Sequence, residues 1–237
     1  MAARLKAFLP LTLVIGVLAF LWCEFALNFS FHWVSDGDLG NGLDLPASFH
    51  LVVPAAFVAW GMFFAAGGDD AALGKVAIAN VFGCCAALAM IFLAKETAQL
   101  PDFWGISLWV GVTAAALVIL GGLGSWYFIP ATFGAFASVV FWWLATGADG
   151  WAPGGGGVGN SVEALADPKT AGLGAFAGVV STPYGWVFVN ILVSLTCGAA
   201  LGWLSAKIAA AITPKERPAR AEAEVREAPG GPHGAGA

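Results

Sequence analysis

Long apolar stretches, each close to the length that crosses a bilayer, dominate this sequence. A hydrocarbon core about 30 Å thick requires roughly 20 mostly apolar residues in a helix. Six stretches reach that length: 7–28, 47–66, 74–94, 103–123, 125–146 and 184–212. Each is predicted to be helical, because lipid offers no partner for exposed backbone groups and the alternation of barrel strands is missing. The sequence therefore predicts an all-α, multi-pass transmembrane bundle with six spans.

The composition excludes several classes of protein. Hydrophobic residues make up 59% of the chain and charged residues only 11%, whereas a soluble domain carries about 25% charged residues. The net charge is −5, so the chain has no basic surface with which to neutralise phosphates. A soluble globule and a nucleic-acid binder are both excluded, and the predicted partner is the lipid bilayer.

The basic residues predict the orientation of the chain. With the N-terminus placed in the cytoplasm, the outer segments hold only Lys95 and Lys169, and the other eight Lys and Arg residues fall inside. This distribution follows the positive-inside rule, and both termini are predicted to be cytoplasmic. Residues 1–213 form the predicted membrane domain. Residues 214–237, which lack an apolar period, form a predicted disordered cytoplasmic tail.

The segments that join the last three stretches differ in length. Gly121, Gly122, Gly124 and Ser125 predict a tight hairpin between the fourth and fifth spans. The outer loop 147–183 is long and contains a run of four glycines. Its apolar part, 172–180, is too short to span, and either a re-entrant piece or a loop packed over the bundle fits it.

The second and fifth stretches resemble each other. Residues 53–60 read VPAAFVAW and residues 129–136 read IPATFGAF. If the likeness is real, the chain consists of two three-helix halves, and an odd number of spans per half makes them inverted. Inverted repeats build transporters and channels with a site near the midplane. Chance similarity between Pro- and Ala-containing membrane helices is the alternative.

Four polar residues within the spans are candidates for a solute path. Glu24 is an intramembrane acid near the outer end of the first span, where it serves either a functional or an anchoring role, with His50 or His32 as a partner. Asn80 and Asn190 either hydrogen-bond between helices or form a symmetry-related pair along a polar path. Thr132 can satisfy a carbonyl of its own helix.

Pro54 and Pro130 are the other two candidates. A proline inside a helix removes a backbone hydrogen bond and kinks the helix. A kink at each position, for packing or for gating, is therefore expected.

Catalytic and cofactor motifs are missing from the sequence. There is no P-loop, HExxH, GxSxG or dinucleotide-binding glycine pattern, and the histidines and acids lack tight metal-ligand spacing. We expect no enzymatic activity, no cofactor and no metal.

Two segments resemble a known family. Residues 57–66 with Leu73-Gly74-Lys75, and residues 128–137 followed by 147–151, are similar to the small bacterial inner-membrane proteins grouped as domain of unknown function 1097. The resemblance covers about residues 5–210; the longer loop after the fifth span and the charged tail depart from it. It implies a multi-pass inner-membrane protein and carries no established activity or site residues.

Two functions fit these features. The first is a channel or secondary transporter for a small neutral or weakly polar solute, because the predicted path holds few charges. The alternative is a non-transporting accessory or assembly subunit, in a homo-oligomer or with a foreign membrane subunit, suggested by the small-xxx-small surfaces of the helices.

Overall fold

Six α-helices and one short 3-10 turn make up the regular structure in the computed structural model, which describes residues 2–30, 49–97, 100–101, 104–146 and 184–213. Over these residues, no strand is present. The helices are α1 (Ala2–Asn28), α2 (Val53–Ala65), α3 (Asp70–Glu96), α4 (Trp104–Leu120), α5 (Ile129–Thr146) and α6 (Tyr184–Ile212), with the 3-10 turn at Gly121–Leu123. The predicted all-α class is confirmed for this part of the chain.

Four of the helices are long and apolar enough to cross a membrane. They contain the candidate spans Phe8–Asn28, Asp70–Ala94, Trp104–Leu123 and Tyr184–Ile212. The two others, Val53–Ala65 and Ile129–Leu144, are apolar but shorter. The helix in the second predicted span thus begins at Val53 rather than Ala47, and the helix in the fifth begins at Ile129 rather than Ser125.

The four inner helices α2, α3, α5 and α6 share one hydrophobic core. The most extensive contacts are those of α3 with α5 and of α2 with α6, and α3 also packs on α6. The core contains fully buried Phe63, Met90, Ile191 and Leu195. On the outside, α1 packs on α6 and α2, whereas α4 packs on α3 and α5. Much of the surface of α1 is apolar and exposed, as in Phe8 and Phe20, which suits contact with lipid.

Helices α3 and α6 lie antiparallel, and side chains join them at both ends. At one end, here called the Lys207 end, the Lys207 ammonium forms an ion pair of 2.9 Å with Asp70, which also accepts a 2.6 Å hydrogen bond from the Trp203 indole. At the opposite Tyr184 end, the rings of Phe92 and Tyr184 meet edge to face at 5.2 Å.

Several expectations concern residues outside the described part of the chain. These are the tail 214–237, the loop 147–183 and, in the first predicted outer segment between the spans 7–28 and 47–66, residues 31–46 with the candidate partner His32. The predicted hairpin at 121–125 is described and confirmed, since α4 ends at Leu120 and α5 begins at Ile129.

Candidate functional site

A buried non-helical segment, residues 49–52, precedes α2. Helix α2 has 13 residues and is about 20 Å long at 1.5 Å per residue, which is shorter than a bilayer core of about 30 Å. Val52, its N-cap, has extended backbone angles, and His50, Leu51 and Val52 are all buried. The second predicted span is therefore an extended segment followed by a short helix.

Side chains from α6 and from the end of α1 bond the backbone of this segment. The His50 N–H donates to Asn190 Oδ1 at 3.0 Å, the Val52 N–H to Ser194 Oγ at 2.8 Å, and the Leu51 N–H to Ser30 Oγ at 2.8 Å. Non-helical backbone is tolerated at membrane depth only where protein groups satisfy it. The sequence does not single out Ser30 or Ser194 for this role, because nothing local marks an acceptor for a backbone that is 21 residues away for Ser30 and 142 residues away for Ser194.

The first turns of α2 and α5 lie beside the middle of the long inner helices. Gly198 and Gly83 are the middle residues of α6 and α3. A Cβ at Gly198 would overlap the carbonyl oxygen of Ala56, and a Cβ at Gly83 would overlap that of Thr132. Both short helices thus begin near mid-depth of the bundle, and glycine allows this close backbone approach.

The expectation of proline kinks at Pro54 and Pro130 is wrong. Pro54 lies at the first positions of α2, and Pro130 is the second residue of α5. A first-turn N–H has no intrahelical acceptor, so proline costs no hydrogen bond there. These prolines lie in the first turns of their helices and do not bend them, and both are exposed.

The two asparagines lie at different depths, so the expected symmetry-related pair is not formed. Asn80 precedes Gly83 by one helical turn, whereas Asn190 precedes Gly198 by about two turns. Asn190 holds the backbone of segment 49–52, as described above. Asn80 is 2% exposed, and its Nδ2 has no hydrogen-bond partner in the described structure.

Thr132 lies at the contact between α5 and α3, whereas Glu24 lies on α1. Thr132 is fully buried on the α5 face that meets α3, and its hydroxyl donates to the Phe128 carbonyl at 3.2 Å, as predicted from its type. Glu24 is exposed on α1, and its carboxylate accepts a 3.0 Å hydrogen bond from Asn28. Thr132 thus meets α3 at Gly83, one helical turn after Asn80.

A cavity of about 410 Å³ lies between α2 and α5, with Ile191 of α6 on one side; it opens to the surface of the bundle, where Pro54, Ala137 and Phe141 are exposed. Its lining is apolar apart from Ser138, whose hydroxyl donates to the Gly134 carbonyl at 2.7 Å. Gly134 faces Val58 across the helix crossing, where a Cβ would come within 2.9 Å of Val58 Cγ1. The lining residues are Val52, Pro54, Ala55, Val58, Met62, Gly134, Ala137, Ser138, Phe141 and Ile191.

A bundle of apolar helices, four of them long enough to cross a bilayer, defines an integral membrane protein. The chain belongs to the family described as protein of unknown function DUF1097, whose model matches residues 12–210. This match confirms the resemblance drawn from residues 57–66 and 128–137. No curated protein and no solved structure matches the chain.

Proposed function

We propose that this protein is a channel or secondary transporter for a small neutral or weakly polar solute, built from two inverted three-helix halves, α1–α3 and α4–α6. The observation that carries the proposal is the pair of short helices, α2 and α5, that begin near mid-depth from opposite sides. Discontinuous helices at the interface of two inverted repeats are how many transporters form a midplane site.

The helix contacts support the two halves. If α1, α2 and α3 correspond to α4, α5 and α6, the contact of α2 with α6 corresponds to that of α5 with α3. The contact of α3 with α4 likewise corresponds to that of α6 with α1. Helices α2 and α3 pack on each other, as do α5 and α6. Each of these contacts in one half therefore has its counterpart in the other.

The burial pattern supports the same correspondence in α2 and α5. The buried residues of α2 are Ala55, Ala56, Ala59, Trp60 and Phe63. The equivalent positions in α5 lie further along the chain by the number of residues between Pro54 and Pro130. These positions are all buried, and they are Ala131, Thr132, Ala135, Phe136 and Val139. Val58 and Gly134 are equivalent by this interval, and they contact each other, as residues on a two-fold axis must.

Helices α3 and α6 match in the same way about their central glycines. Four buried residues of α3 correspond to positions of α6 that lie further along the chain by the number of residues between Gly83 and Gly198. The residues of α3 are Ala72, Val76, Ala79 and Ala87. The positions in α6 are Val187, Ile191, Ser194 and Gly202, which are also buried. Agreement in two helix pairs at two different intervals argues against chance similarity of apolar sequences. It supports the inverted repeat as a property of packing.

The chemistry of the site supports a neutral or weakly polar solute. The cavity between α2 and α5 is mostly apolar and has the size of a small-molecule pocket. No charged side chain lines it. The N-terminus of α2, whose residues Val52, Pro54 and Ala55 line the cavity, carries partial positive charge, which disfavours cations.

The experiment is solute flux into proteoliposomes that contain the purified full chain. The panel consists of acetamide, glycerol, acetate and potassium, and we expect flux of at least one of the first three above empty vesicles. Ala137→Phe, which fills the cavity, should lower that flux at least tenfold. Ala115→Phe, at an exposed position of α4, is the matched control and should leave it unchanged. Absence of flux for every solute would contradict the proposal.

An accessory or assembly subunit is the second candidate. The exposed apolar face of α1, with Leu13, Val17 and Phe20 between 59% and 67% exposed, supports it, because such a face can pack on another membrane helix as well as on lipid. Purification in mild detergent followed by mass spectrometry separates the two functions. A stoichiometric foreign subunit would favour the second candidate.

A further inference from the structure

We propose that Asn80, together with the first turn of α5, forms the solute-binding site, and that it takes a small solute through a carbonyl or carboxylate oxygen. This inference rests on the transport function proposed above. It adds the chemical group that is recognised and a recognition residue on the α3 side of α5, outside the cavity between α2 and α5, whose lining does not include Asn80.

The first observation is a buried amide with an unused donor. Asn80 is 2% exposed, and its Nδ2 has no hydrogen-bond partner in the described parts of the chain. Most buried side-chain polar atoms are paired, since leaving one unpaired costs about 1–3 kcal/mol. An unpaired donor inside a membrane protein is therefore kept at a cost to stability, as is typical of functional positions.

The second observation is that Asn80 lies at the depth of a helix N-terminus. Gly83, one turn further along α3, meets the Thr132 carbonyl. Helices α3 and α5 run in the same direction, because α4 crosses back between them. Asn80 is thus level with Ile129 and Pro130, where α5 begins. In this first turn, the N–H groups of Ile129 and Ala131 have no intrahelical acceptor and carry partial positive charge. Pro130 has no N–H, and the Thr132 N–H donates to the Phe128 carbonyl.

The third observation is the difference between the two halves. When α3 and α6 are matched so that Gly83 corresponds to Gly198, Asn80 corresponds to Leu195, which is fully buried. Asn190 and Ser194 hold the segment before α2, and they correspond to Lys75 and Ala79. Leucine therefore fits the equivalent place, so packing alone does not require an amide at position 80. Of the two long inner helices, α3, which packs on α5, thus carries an extra donor, whereas α6 carries the two acceptors.

The two kinds of donor define the class of solute. An amide Nδ2 and backbone N–H groups can both donate to a single acceptor oxygen, and the helix dipole favours partial or full negative charge on that oxygen. Small amides and small carboxylates share this group. Acetamide and acetate have nearly the same shape and differ in charge, so they distinguish a neutral from an anionic solute.

The experiment measures the thermal stability of the purified full chain in detergent, with acetamide or acetate added. We expect one of the two to raise the Tm of the wild-type protein with increasing concentration. In Asn80→Leu, the protein without solute should be as stable as the wild type or more stable, because an unpaired donor is replaced by an apolar group. The solute-dependent rise in Tm should disappear, corresponding to at least a tenfold loss of affinity.

Asn190→Leu is the matched control. It removes the acceptor of the buried His50 N–H, so its Tm without solute should fall. A fall of the same size in Asn80→Leu would show that Asn80 is structural and would overturn the inference. So would a wild-type protein that responds to neither probe, or a variant that responds as the wild type does.

Flux separates failure of this site from failure of the proposed function. If the wild-type protein transports a solute and Asn80→Leu transports it equally well, the site is wrong and the function stands. If the wild-type protein transports nothing in the panel, the proposed function itself fails, and this inference fails with it.

Discussion

At the scale of single residues, Asn190 shows how a polar side chain within an apolar helix can serve the backbone of another segment. Its Oδ1 accepts the His50 N–H, while Ser194, one turn further along α6, accepts the Val52 N–H. Both residues are fully buried. Such bonds allow a segment without helical hydrogen bonding to lie inside an apolar bundle.

Asn190→Ala should destabilise the folded protein by about 1–3 kcal/mol, because it leaves a buried N–H without an acceptor. The measurement is reversible unfolding by denaturant in detergent micelles. Asn28→Ala, on the half-buried end of α1, is the control and should cost less than the Asn190 variant. Equal effects in the two variants would show that the bond to segment 49–52 contributes little.

The close approach at Gly198 predicts a second residue effect. Gly198→Ala places a Cβ against the backbone of Ala56, and backbone cannot rotate away as a side chain can. We expect a loss of at least about 1–3 kcal/mol, the cost of an overpacked core, in the same unfolding measurement. Gly111→Ala, where nothing lies within 4 Å of the added Cβ, should be neutral or slightly stabilising. A neutral Gly198→Ala would contradict the central contact.

At the scale of elements, α2 and α5 differ from the other four helices in where they start. Each begins with a proline in its first turn beside the middle of a long helix. The segments that precede them, 49–52 and 124–128, are not helical apart from turns. The short helices position the cavity and place two helix N-termini inside the bundle.

Pro130→Ala should change the stability by no more than about 0.5 kcal/mol, because a first-turn proline breaks no intrahelical bond. Pro10, which lies inside α1, is the matched comparison. Pro10→Ala should raise the stability, since an interior proline costs a helix about 3 kcal/mol. Thermal unfolding of both variants tests this. A large gain from Pro130→Ala would restore the interpretation of this proline as a kink.

At the scale of the whole molecule, the proposed inverted halves require a definite topology. Six crossings, two of them completed by non-helical segments, place both termini on the same side of the membrane. The distribution of Lys and Arg predicts that this side is the cytoplasm.

Reporter fusions at the two ends of the full chain test this topology. A reporter active only in the cytoplasm should be active at both the N-terminus and the C-terminus, and one active only outside should be active at neither. A fusion at residue 98, after α3, should give the reverse pattern. Ends on opposite sides would contradict six crossings and with them the inverted repeat.

The sequence alone was enough to predict the membrane class, the helical content, the family and the hairpin at 121–125. These properties depend on hydropathy and on local turn residues, which are readable in one short window. The bounds of α6 at Tyr184–Ile212 match the predicted span for the same reason.

Only the tertiary structure decided where α2 and α5 begin and what Asn190 does. The hydropathy of a segment depends only on which residues it contains, so it does not distinguish a helical from an extended backbone. Residues 49–52 are non-helical in the folded chain, where side chains of Ser30, Asn190 and Ser194 accept their N–H groups. Those partners come from α6 and the end of α1, so no local pattern could reveal them.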